Sequence, residues 1–134
     1  MSSAQFGNDS PPNVDAGLRG LDTVVGGETF ISPAKFMSIM GLDITAFARN
    51  AGVTPFTVVN APHSPGIQAH LATNLRILRV ALEIAQGDLP TAILWFKERP
   101  LMSFGGKTAE ELVADNRTTD LMRLVEFYES GFAG

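Results

Sequence analysis

Two histidines, His63 and His70, have the widest chemical repertoire in this 134-residue chain, and neither has the company that chemistry needs. A metal site wants clustered imidazole, thiolate or carboxylate ligands. His63 lies in a proline-rich connector and His70 in a long apolar run, with no carboxylate cluster beside either. There is no cysteine, which excludes a disulfide framework, a thiolate zinc site and a cysteine nucleophile. No serine or threonine has a histidine partner that the sequence places near it. Glu110 and Glu111 are adjacent carboxylates, but they fall in the first turn of a predicted helix, where negative charge complements the helix dipole. The glycine pairs in "GGETF" and "GGKT" lack the length and strand context of a phosphate loop. This pattern predicts a binding protein, not an enzyme, with neither cofactor nor metal.

The elements that position the remaining candidates are helical. Ser32-Pro33 supplies an N-cap and a proline at the first helical position. "PAKFMSIM" follows and stops at Gly41. Asp43 caps "ITAFARNA", which stops at Gly52, and Thr54-Pro55 opens "PFTVVN". After the connector "APHSPG" comes the longest periodic run, "IQAHLATNLRILRVALEIAQ", closed by Gly87. Asp88 and Pro90 begin "TAILWFKER", and Thr108 with Glu111 forms a capping box for "AEELVAD". A last helix starts near Thr118. The fold class is therefore all-α.

In "DITAFARNAGVTPFTVVN", Ala48 and Gly52 stand where a helix-turn-helix needs a small residue and a positive-φ turn, and Val58 stands where the second helix needs an anchor. Ile44 and Phe47 pack the first helix. The outward positions of the second are Thr54, Phe56, Thr57 and Asn60, suited to phosphate, thymine methyl and adenine, with Arg49 beside them. That helix carries no Lys or Arg, although cations supply most non-specific affinity for DNA. Lys35, Arg49, Arg76 and Arg79 are the nearby sources of charge, so DNA binding and a purely structural helix pair both stay open.

The net charge of −4 is unevenly spread: residues 31–87 are mildly basic and both ends are acidic. Residues 1–30, rich in Ser, Pro, Gly, Asn and Asp, read as a flexible arm, with Val14, Leu18, Leu21, Val24 and Val25 able to make one docking turn. Residues 31–65 hold the helix-turn-helix, 66–87 the central helix and 88–134 a C-terminal helical unit. Ile67, Leu71, Leu75, Leu78, Leu82 and Ala85 form one stripe of the central helix, and Ile77, Val80, Ala81 and Ile84 a second. A helix apolar on most of its circumference must be covered on most of it. Its cover is either the rest of the chain or a second copy across a two-fold axis. No run reaches the roughly 18 apolar residues that span a bilayer, and no secretory signal is visible. The expected location is the cytoplasm.

The connection "RPLMSFGGKT" is unusual in carrying Leu101, Met102 and Phe104 through a glycine-bearing loop, since loops normally run in water. Phe104 is expected to fold inward, with Leu101 and Met102 forming an apolar patch for a partner. The stretch "AILWFKERPLMSFGGKTAEELVADNRTTDLMRLVEFYESGFAG" resembles the toxin-binding domain of the Xre/MbcA/ParS antitoxins. The resemblance rests on Trp95 in a short helix, Pro100 in the loop, the turn Gly105-Gly106-Lys107-Thr108, Glu111-Leu112, and an end at Gly131-Phe132-Ala133-Gly134. With the helix-turn-helix and central helix it covers about residues 31–134. The chain departs from the family at Arg99-Pro100-Leu101, where many members have Pro-Asn, and at Ala109, where many have proline. The resemblance implies a homodimeric antitoxin that binds a RES-domain, NAD-depleting toxin and occludes its active site, with operator DNA as a second partner. It implies a toxin contact made by Trp95, Pro100, Leu101, Met102, Lys107, Gly131, Phe132, Ala133 and Gly134.

Overall fold

The computed structural model describes residues 20–130. Val14 and Leu18 of the arm, and Gly131, Phe132, Ala133 and Gly134 of the tail, lie outside the described residues. Among the described residues a short hairpin comes first, with β1 (Asp22–Val25) pairing antiparallel with β2 (Glu28–Ile31). Seven helices follow: α1 (Pro33–Met40), α2 (Ile44–Ala51), α3 (Pro55–Asn60), α4 (Pro65–Ile84), α5 (Leu89–Glu98), α6 (Ala109–Ala114) and α7 (Thr118–Glu129). A single 3-10 turn, Met102–Phe104, lies between α5 and α6.

The helix starts follow the predicted caps. The side chains of Ser32, Asp43, Thr54, Asp88 and Thr108 each accept a hydrogen bond from the backbone N–H three residues on. Gly41 and Gly52 end α1 and α2 in the left-handed conformation that an L side chain resists. The hairpin is the departure from expectation, because residues 22–31 are not an open arm. Gly26 and Gly27 both take positive φ (60° and 85°), as a two-residue hairpin loop requires. Four-residue strands are too short for alternation to announce them. Leu21 docks as expected, at 2% exposed, whereas Val24 and Val25 face solvent.

The hairpin is fastened by side chains. Gln68 of α4 accepts from the Ile31 N–H at 2.9 Å and donates to the Ile31 carbonyl at 2.8 Å, imitating a third strand. Lys35 Nζ donates to the Asp22 carbonyl at 3.2 Å, and Phe30 stacks on His63 with ring centres 4.4 Å apart.

The central helix is covered by its own chain. β2, α1, α2, α5 and α7 all pack on α4, burying Ile67, Leu71, Ile77, Leu78 and Leu82 completely. The two stripes are thus the core of one chain, and among the large apolar side chains of this helix Ile84 is the exposed one. Phe36 and Phe47 from the helix-turn-helix and Phe96, Leu112 and Leu121 from the C-terminal segments join the same core. Lys97 Nζ of α5 donates to the Met40 carbonyl at the end of α1, at 2.7 Å.

Candidate functional site

Two surfaces carry the candidate residues. The first is the braced corner between α5 and α6. Ala92 and Phe96 face the core, so the opposite side of α5 turns Leu94 outward, 62% exposed. Trp95 lies half-buried beside it. A groove of about 330 Å³ lies on one side of the indole, walled by Leu94, Glu98, Arg99 and Pro100. A smaller one of about 180 Å³ lies on the other, walled by Arg99, Leu101, Met102 and Leu124.

The loop after α5 is held by backbone bonds. Leu101 N–H donates to the Lys107 carbonyl at 2.9 Å, and Gly106 N–H to the Leu101 carbonyl at 3.0 Å. Gly105 and Gly106 take φ of 68° and 86° to close the turn. Lys107 Nζ pairs with the Asp115 carboxylate at 2.8 Å, and the hydrogen bond to Asp115 raises the lysine pKa. Thr108 and Glu111 complete the capping box, with Thr108 N–H donating to Glu111 Oε1 at 2.9 Å. Arg117 lies 5.5 Å from the centre of the half-buried Phe104 ring. A loop so braced has little backbone freedom left to lose on binding.

These contacts sort the predicted residues. Met102 is 85% exposed and Trp95 and Pro100 reach the surface. Leu101 does not belong to the exposed patch. Its pairing with Lys107 turns it inward to 9% exposure, leaving only an edge on the smaller groove. Lys107 is exposed but spends its charge on Asp115. Leu94, Arg99 and Leu124 were not singled out from sequence. The outward position of Leu94 was nevertheless legible from its place between inward Ala92 and Phe96.

The second surface is α3. Phe47, Ala48 and Val58 are buried, so the helix pair packs as its spacing predicts. Arg49 is exposed in the last turn of α2. Thr54 and Thr57 share a hydroxyl contact of 3.0 Å, and Asn60 Nδ2 donates to the Phe56 carbonyl at 2.9 Å. The Thr54 and Thr57 hydroxyls and one Asn60 N–H are thus engaged locally, while Phe56 and Val59 stand 73% and 66% exposed. Of the nearby cations, Lys35 donates to the Asp22 backbone carbonyl, and Arg76 pairs with Glu126 of α7 at 3.7 Å.

His70 lies against the edge of Phe47, ring centres 5.4 Å apart, with Asn74 Nδ2 3.3 Å from its Nε2. Burial lowers its pKa to about 4, so it is a neutral packing residue. His63 stacks at the hairpin instead, and among the described residues no group of three or more possible metal ligands comes together. No helix of the described residues is long and apolar enough to cross a membrane. Comparison with protein-family models, curated proteins and solved structures finds no match to this chain.

Proposed function

We propose that this chain is the antitoxin of a type II toxin–antitoxin pair, acting in the cytoplasm by binding a RES-domain, NAD-depleting toxin over its active site. The observation that carries the reading is the surface around Trp95. Leu94 and Met102, 62% and 85% exposed, flank a half-buried indole between two grooves on a braced loop. Exposed apolar side chains gathered around one aromatic residue support a partner site there. The resemblance of residues 92–134 to the antitoxin toxin-binding domain supplies the partner's class. Inhibition of this kind needs shape alone, and the antitoxin contributes no catalytic group.

Co-expression with the product of the adjacent reading frame tests the proposal. The wild-type chain is expected to restore growth, and the pair Leu94→Asp, Met102→Asp to lose that rescue while still folding. A neighbour equally toxic with and without this chain ends the antitoxin reading.

A stand-alone transcription regulator is the second reading, favoured by the helix-turn-helix packing of α2 and α3. Electrostatics count against it, because α3 has no cation and Arg49 is its nearest one. Operator DNA whose mobility shift disappears in Arg49→Ala, Asn60→Ala would favour this second reading.

A further inference from the structure

Arg99 is the charged residue common to both grooves of the Trp95 face, and shape-based inhibition gives it no task. It is exposed at the end of α5, its backbone N–H donating to the Trp95 carbonyl at 3.0 Å. The other cations of this corner are engaged. Lys97 donates to the Met40 carbonyl, Lys107 pairs with Asp115, and Arg117 pairs with Asp120 at 3.5 Å. Among the described residues no carboxylate forms an ion pair with Arg99. We infer that the smaller groove takes an aspartate or glutamate side chain of the partner protein, its carboxylate held by Arg99. The inference rests on the Trp95 face being the partner site, and it names the chemistry which that site grips.

Charge complementarity selects that occupant. The side chains lining the smaller groove are of two kinds. Arg99, Trp95 and Ser103 carry hydrogen-bond donors, and the rest, Leu101, Met102 and Leu124 among them, are apolar. No Asp or Glu lines it. Glu98 stands on the wall of the larger groove only, so the positive charge is unopposed in the smaller one. A guanidinium offers a planar fork that a carboxylate fills with two parallel hydrogen bonds. Apolar walls around such a pair exclude water and strengthen it. Size argues for a side chain over a free metabolite, since small-molecule pockets start at about 300 Å³ and this groove has about 180 Å³. A nucleic acid brings a row of phosphates, each to be neutralised by its own cation, and this groove has a single one.

Two measurements test the inference apart from the antitoxin reading. In the first, the isotopically labelled full chain is titrated in the NMR spectrometer with the acetylated, amidated tripeptide Phe-Asp-Phe at millimolar concentrations. Saturable shifts are expected at the Trp95 indole and at Ser103, with binding of the Phe-Asn-Phe peptide about fivefold weaker or more. In the second, the product of the adjacent reading frame is captured on wild type, Arg99→Gln and Arg99→Lys. Arg99→Gln is expected to raise the dissociation constant about tenfold or more, with Arg99→Lys in between. Added salt should weaken the wild-type complex more than the Arg99→Gln complex, which a merely structural arginine would not produce. Far-UV circular dichroism should be the same for all three, because Arg99 is exposed. Equal binding of the two peptides, or binding of neither, overturns the inference. So does capture that is indifferent to Arg99→Gln, and if Leu94→Asp with Met102→Asp still abolishes that capture the antitoxin reading survives without it. Peptide binding that favours aspartate, with no capture of the neighbouring product, ends the antitoxin reading and upholds the carboxylate site.

Discussion

His70 shows how one side chain can set the response of the protein to acid. It is packed on Phe47 and held by Asn74, and burial lowers its pKa from 6.5 to about 4. Between those two values the unfolded chain binds a proton that the folded chain refuses. Stability contributed by neutral His70 is therefore full above pH 6.5 and is lost as the pH falls toward 4. The linkage amounts to about 2 kcal/mol between pH 7 and pH 5. Urea unfolding at the two pH values should show that loss in wild type and a smaller one in His70→Gln, whatever the variant's stability at pH 7. An equal loss in both would mean that carboxylates, and not this imidazole, govern the acid limb. Phe47 is the neighbour that makes the site apolar. At 0% exposed it touches both Phe36 and His70, so Phe47→Ala is expected to cost about 3–5 kcal/mol.

At the scale of elements, local chemistry decides where helices begin and end, and the same chemistry made them legible. Thr108 caps α6 and its partner Glu111 caps back, so the loop from Leu101 to Lys107 enters the helix at a fixed angle. Thr108→Ala should cost about 1 kcal/mol, read from the shift in urea midpoint. It should also weaken partner binding at the Trp95 face more than Ser38→Ala, an exposed change on α1, does. The caps at Ser32, Asp43, Thr54, Asp88 and Thr108 were readable because each depends on a residue three positions away. The hairpin was not, because its evidence is a pair of glycines whose φ values the sequence does not state, and a clamp from Gln68, 37 residues beyond Ile31. Leu101 was misplaced for the same reason. Its inward turn comes from backbone pairing across Gly105 and Gly106, which has no period to read, whereas Met102 one residue on does face solvent as expected.

At the scale of the whole molecule, the segments visible in the sequence on either side of the central helix fold around it. Residues 31–65 and 88–130 meet on α4, α2 packs directly on α6, and Lys97 ties α5 to the end of α1. Neither segment has a core of its own, because Phe36, Phe47, Phe96, Leu112 and Leu121 share one contiguous cluster. A shared core predicts a single cooperative transition, despite the modular look of the chain. Trp95 is the one tryptophan and lies in the C-terminal segment, so its fluorescence reports that half while circular dichroism reports all the helices. The two signals should give coincident urea curves. Phe47→Ala, far from the indole in sequence, should move both midpoints together. A tryptophan transition left in place while the circular dichroism curve shifts would mean that the helix-turn-helix unfolds on its own. That outcome would also let the contact proposed for the Trp95 face form independently of α1–α3. With one core the Trp95 face and the α3 face stand on a common scaffold, and loss of packing beneath either one weakens both.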